Sequence, residues 1–179
     1  MDIESITSGA QLADVTIPQL LSARRAERPD TVAYKQKRHG EWIAVTWKQY
    51  SDQVANLGAA LHKAGLARGD RAAIMGDVSQ EWLLADMATI CAGGVMVGVY
   101  FTSSPEEAGY CLSDSGTSFI FVGGEVQLGV VLASGHAEKL RKIIVLDPEW
   151  EGAASRAANV VSLKQFCGET SVDADAFLR

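Results

Sequence analysis

The run from Ile90 to Glu107, Ile-Cys-Ala-Gly-Gly-Val-Met-Val-Gly-Val-Tyr-Phe-Thr-Ser-Ser-Pro-Glu-Glu, constrains the fold more than any other stretch of the chain. Ile90 to Ala92 close an amphipathic helix. Gly93 and Gly94 end it, because glycine enters the left-handed backbone region without steric cost. Val95 to Tyr100 carry no charge and read as a strand buried on both faces of a parallel sheet. Ser104 then suits an N-cap, Pro105 the first helical position, and Glu107 the carboxylate position of a capping box. One run therefore reads helix, turn, strand and helix start.

The rest of the chain follows the same rhythm. Residues 1–16 show no strong period and read as a lead-in. A short helix begins at Ile17-Pro18 and stops at Arg28-Pro29-Asp30. Val32 to Tyr34 and Trp42 to Val45 are rich in strand formers, and Lys37-Arg38-His39-Gly40 between them reads as a hairpin turn, whose local positive charge fits a solvated turn first and a binding patch as the alternative. From Thr46 to Ala64, Trp47, Tyr50, Val54, Leu57, Leu61 and Ala64 recur at spacings of three and four, which puts them on one helical face. Thr46 and Gln49 fit a capping box, Gly65 ends the helix, and His62 falls off the apolar stripe toward solvent.

Arg71 to Met75 predicts a strand, and Asp77 or Ser79 caps a helix through Trp82, Leu83, Met87 and Ile90. After the Ser104 helix come a strand over residues 117–122, a helical pattern through Val126, Val130 and Val131, and a strand from Lys142 to Leu146 stopped by Asp147-Pro148. Four apolar strands alternating with helices imply right-handed crossovers and an α/β fold with a mostly parallel sheet flanked by helices. From Glu149 onward the periodicity fades, and Val160-Val161 and Leu163 to Phe166 are isolated apolar fragments. The expected organisation is a lead-in over 1–16, an α/β unit over 17–148, and a weakly patterned tail over 149–179.

Composition narrows the function. The formal net charge is −6, and a phosphate backbone needs concentrated Lys and Arg, so nucleic acid is not an expected partner. The three cysteines, Cys91, Cys111 and Cys167, are far apart and odd in number. They suit reduced thiols in a cytoplasmic protein better than a disulfide framework or a zinc site. No stretch is long and apolar enough for a membrane span, and the acidic start Met1-Asp-Ile-Glu lacks the positive region of a signal peptide. The expected location is cytoplasmic, with peripheral membrane attachment left open. The three histidines, His39, His62 and His136, have no partner at ligand spacing. Gly93, Gly94 and Gly98 precede or sit within a strand and so do not form a dinucleotide fingerprint. Thr102-Ser103-Ser104 lies at a helix N-terminus, where free N–H groups favour anions. The run holds no lysine or glycine, and Pro105 removes a donor, so a structural role is the expected one.

Two segments carry a family resemblance. Thr46-Trp47-Lys48-Gln49-Tyr50 resembles the first core motif of the AMP-forming (adenylate-forming) acyl-CoA synthetases, a Thr/Ser-aromatic-x-x-aromatic helix start. Gly93-Gly94, the strand to Tyr100, and Thr102-Ser103-Ser104-Pro105-Glu106-Glu107 resemble the second, in the version of the long-chain fatty acid–CoA ligase branch. One position departs: that branch usually has proline where this chain has Phe101. The resemblance implies a partial N-terminal domain of the adenylate-forming fold. It also implies a parent reaction in which ATP and a fatty acid form acyl-AMP and diphosphate, followed by acyl transfer to coenzyme A. Thr46, Trp47, Tyr50, Gly93, Gly94, Tyr100, Thr102, Ser103, Ser104, Pro105 and Glu106 are then structural signature positions. The family's phosphate loop, magnesium pair, ribose aspartate and adenylation lysine have no counterpart in residues 1–179. Catalytic, cofactor-binding and metal-binding residues are therefore expected outside this stretch, with the phosphate loop soon after Arg179. ATP, magnesium, coenzyme A and fatty acid belong to the full-length enzyme, and self-association of the shorter chain remains open. The rival expectation is a non-catalytic binding or interaction module derived from such an enzyme.

Overall fold

A computed structural model describes residues 15–152 and 157–178, so the predicted lead-in lies outside the described residues except for its last two. Helix α1 spans Ile17–Glu27 and starts on a capping box closed by Thr16 and Gln19. Strands β1 (Val32–Arg38) and β2 (Glu41–Thr46) form an antiparallel hairpin. Its turn is narrower than the sequence suggests. Only His39 and Gly40 turn, with φ of 49° and 88°, the positive pair that a two-residue type I′ connection requires. Lys37 and Arg38 are strand residues, and Arg38 is not simply solvated: its guanidinium pairs with Glu81.

Helix α2 (Trp47–Lys63) bears the predicted stripe: Tyr50, Val54, Leu57 and Leu61 are buried. His62 is exposed as expected, yet its Nε2 donates to the Ala92 carbonyl at 2.8 Å and so holds the end of the next helix. Four strands alternating with three helices follow. They are β3 (Arg71–Met75), α3 (Gln80–Cys91), β4 (Val95–Val99), α4 (Pro105–Asp114), β5 (Phe119–Val122), α5 (Glu125–Ala133) and β6 (Lys142–Val145). All these strands pair in parallel, in the order β4-β3-β5-β6, as the alternating pattern requires.

The sheet separates two apolar layers. Ala72, Ile74, Phe119, Phe121 and Ile144 face α2 and α3, where Leu57, Leu61, Leu84 and Ala88 meet them. Ala73, Met75, Ile120, Val122 and Ile143 face α4 and α5 through Ala108, Leu112, Leu128 and Val131. Helices fall on opposite faces because the winding reverses after β4, and right-handed crossovers in opposite directions must cover opposite faces. The reversal brings the carboxyl ends of β3 and β5 side by side. There Gly76 and Gly123 touch so closely that a Cβ on Gly76 would sit 2.8 Å from the Gly123 Cα.

The structure adds to the sequence pattern at β4 and near the C-terminal end. The run Val95 to Tyr100 is not buried on both faces. It forms the edge of the sheet, pairs only with β3, and leaves Val95 50% and Tyr100 84% exposed; Val99 alone is buried. A run of apolar residues states what a strand tolerates, whereas burial depends on a neighbour. Within 157–178 the chain forms elements that its weak pattern does not announce. Val160–Ser162 adds a fifth parallel strand, β7, beside β6. Helices α6 (Leu163–Cys167) and α7 (Ala174–Phe177) then return onto α2. Phe177 lies against Gly58 and His62, and Arg25 bridges α1, α2 and α7 through Asp52 and Asp175, both at 2.8 Å. A three-residue strand is too short to show a period.

Candidate functional site

The signature residues of the two motifs do not converge. Thr46, Trp47 and Tyr50 stand at the start of α2. The Thr46 hydroxyl accepts the Gln49 N–H at 3.2 Å, and the Gln49 side chain accepts the Thr46 N–H at 2.9 Å. Trp47 is half-buried against the core, whereas Tyr50 is 8% exposed. The Tyr50 ring meets Tyr34 edge-on at 5.4 Å, and its hydroxyl donates to the Leu83 carbonyl at 3.3 Å. Burial pushes the Tyr50 phenol well above its usual range, so it stays neutral and acts as an anchor between α2 and α3.

Gly93 has the positive φ, 79°, that the end of α3 requires. Gly94 does not share it, contrary to the expectation of a left-handed pair. Its constraint is space: a Cβ there would lie 3.0 Å from Thr89 Cγ2 and 3.2 Å from Leu66 Cδ2. Beyond β4 the chain turns, with the Ser103 N–H donating to the Tyr100 carbonyl at 3.0 Å. Ser104 then caps α4. Its hydroxyl accepts the Glu107 N–H at 3.2 Å, and the Glu107 carboxylate accepts the Ser104 N–H at 2.8 Å. Pro105 occupies the first turn.

Tyr100, Thr102, Ser103, Glu106, Glu107 and Tyr110 line an open groove of about 620 Å3 over this turn. Its chemistry opposes phosphate. The lining carries two carboxylates and no cation. Glu106 is held below the usual carboxylate range by its own backbone N–H and then by the Ser104 hydroxyl. Glu107 and Ala108 donate their N–H groups to Ser104. The donors that an anion would use are taken by the helix's own start. Among the described residues no three acidic, histidine or cysteine side chains cluster to hold a metal ion.

Sequence reasoning missed the cleft at the carboxyl ends of β6 and β7. About 400 Å3 in volume, it is lined by Asn56, Glu81, Asp147, Trp150, Lys164 and Cys167 among others. The Trp150 indole N–H donates to Glu125 at 3.0 Å, which ties this wall of the cleft to α5. Burial pushes the Cys167 thiol up to about 11, which makes it a packing group and not a nucleophile. These residues come from segments far apart in the chain, so no local motif announces them. No helix among the described residues is long and apolar enough to cross a membrane.

The fold and this segment recur in known proteins. The profile of the family described as AMP-binding enzyme matches residues 21–176. The long-chain-fatty-acid–CoA ligase ACSBG2 of Xenopus laevis is 35% identical over 158 residues, which covers 88% of this chain and 21% of that protein. The human long-chain-fatty-acid–CoA ligase ACSBG1 is 30% identical over 137 residues, covering 76% of this chain and 19% of that protein. The chain thus spans about a fifth of the length of these curated relatives. Among solved structures, a mutant form of the coronafacic acid ligase of Pectobacterium brasiliense superposes with a TM-score of 0.73 at 16% identity, over 86% of this chain and 29% of that one. The benzoate CoA ligase of Burkholderia xenovorans gives 0.68 at 16% identity, over 86% and 28%. These two likenesses establish a shared fold. The profile match runs from α1 into α7 and takes in both aromatic-anchored and serine-capped helix starts, and on that ground the chain belongs to the AMP-binding enzyme family.

Proposed function

We propose that this chain is the N-terminal portion of a long-chain-fatty-acid–CoA ligase. The enzyme converts ATP and a fatty acid to acyl-AMP and diphosphate, then passes the acyl group to the coenzyme A thiol. The observation that carries this is the serine-capped start of α4 after the edge strand, in a segment 35% identical to a long-chain ligase. Within such an enzyme the segment supplies scaffold: a sheet, its flanking helices and one wall toward the substrate tunnel. The donors at α4 are occupied by Ser104, which does not fit ATP phosphates, and no step of the chemistry is routed through them. Adenylation needs positioning and charge stabilisation of the phosphates, and residues 1–179 bring no lysine-bearing phosphate loop to supply it. The 179-residue chain is therefore expected to give only background ATP–pyrophosphate exchange across a panel of fatty acids. Exchange that survives repurification would refute this.

A second reading, a non-catalytic module derived from such an enzyme, is favoured by one observation. β3, β5 and β6 are buried on both faces by the chain's own helices. Against it stands β4, an uncharged edge strand with Val95 exposed, followed by exposed Tyr100 and Phe101. Natural edges are usually blunted by charge, proline or a bulge. An open apolar edge marks an interface with more chain or with a second copy. Light scattering after size exclusion, over a dilution series, separates the readings. Concentration-dependent association supports the portion of a larger enzyme, and a monomer at every concentration supports the module.

A further inference from the structure

We infer that the outer face of the β1–β2 hairpin docks on an anionic lipid surface. Cross-strand register decides which side chains share that face. Lys37 stands opposite Trp42, and Lys35 opposite Ala44, and all four are exposed. The alternate residues point inward: Tyr34 meets Tyr50 edge-on, and Arg38 pairs with Glu81. The hairpin is thus held rigidly from behind while its front is left bare. Trp42 is 69% exposed, in a chain whose core has room for Phe119 and Phe121 at full burial. Two fixed positive charges, Lys35 and Lys37, stand on this outer face, while Arg38 is on the other face and paired with Glu81, in a chain of net charge −6. The sign is reversed locally, on the face that also bears the indole.

That pairing matches the layering of a bilayer surface. Lysine ammoniums reach lipid phosphates, and an indole beside them settles at the headgroup level with its ring toward the acyl boundary. A polyanion such as nucleic acid would use the lysines but gain little from a single indole on a flat ribbon. Glu41 at the hairpin and Glu149 facing His39 at 3.9 Å oppose the attraction, so the attachment is weak and reversible. It would bring the chain to the phase in which long-chain acyl groups dissolve.

The test is cosedimentation of the 179-residue chain with phosphatidylcholine vesicles, with and without phosphatidylserine, at low and physiological salt. Binding that requires phosphatidylserine and weakens with salt is expected. Each of Lys35→Gln and Lys37→Gln should lower the partition coefficient about five-fold. Trp42→Ser should lower it too, and should remove the vesicle-induced blue shift of tryptophan emission. All three positions are exposed, so the unfolding midpoint should not change and reports that each variant is folded. The inference is overturned by a chain that ignores phosphatidylserine. It is also overturned by binding that survives all three substitutions, and by a chain that binds an oligonucleotide but not vesicles. None of these outcomes depends on pyrophosphate exchange, so the docking face and the ligase reading stand or fall separately.

Discussion

Gly76→Ala tests the reversal point of the sheet. A Cβ at Gly76 would lie 2.8 Å from the Gly123 Cα and 3.0 Å from the Gly123 N, both backbone atoms with no rotamer to yield. Ordinary carbon contact begins near 3.5 Å, so the strand ends must part by about 0.7 Å. The bond from the Gly123 N–H to the Met75 carbonyl, 2.8 Å long, spans the same gap and weakens with it. Overpacking of this kind costs about 1–3 kcal/mol, and a compromised hydrogen bond about 0.5–1.5 more. The sum, about 1.5–4.5 kcal/mol, corresponds to a fall in Tm of about 3–18 °C for a chain of this size. Thermal unfolding followed by circular dichroism measures it. Gly129→Ala is the control: Gly129 lies inside α5 and a Cβ there meets nothing within 4 Å. That change should hold or raise stability, by up to about 1 kcal/mol, because alanine is the better helix former. If Gly76→Ala unfolds with the parent, the two glycines are not in contact and the packing at the reversal point is wrong.

Further outcomes follow from local geometry. Tyr50→Ala should cost about 3–5 kcal/mol and Trp47→Ala roughly half as much, since Trp47 is only half-buried; denaturant titration that reversed this order would undo the register of α2. Ser104→Ala should cost about 1 kcal/mol through the lost cap of α4, and an unchanged midpoint would mean that the capping box contributes nothing. Burial pushes the Cys91 thiol up to about 12 and the Cys167 thiol to about 11, so alkylation of both by iodoacetamide in the native chain should climb without a plateau up to about pH 11. Because the raised folded values let the unfolded chain lose these protons first, stability present below about pH 9 should decline as pH rises toward them, and less so in Cys91→Ala/Cys167→Ala. Equal slopes in the two proteins would show that the thiols are accessible.

The sequence by itself determined what closes within four residues or repeats along one element. Thr46 with Gln49, Ser79, and Ser104 with Glu107 cap their helices as spaced, and the stripe from Tyr50 to Leu61 is buried. The alternation of apolar strands with helices was enough for a parallel α/β sheet, and the two motifs were enough for the family. Only the tertiary structure decided which strands are neighbours. It put Val95 to Val99 at an open edge, recruited Val160–Ser162 as a fifth strand, pressed Gly76 against Gly123, and drew Arg38 to Glu81. It also turned Lys35, Lys37 and Trp42 to one outward face. The physical reason is range. A cap or a helical stripe is satisfied by groups a turn away, whose spacing is written in the chain. Strand neighbours and ion pairs are chosen by desolvation and backbone pairing between segments tens of residues apart. An apolar run offers itself equally to the centre of a sheet or to its edge until a partner covers it.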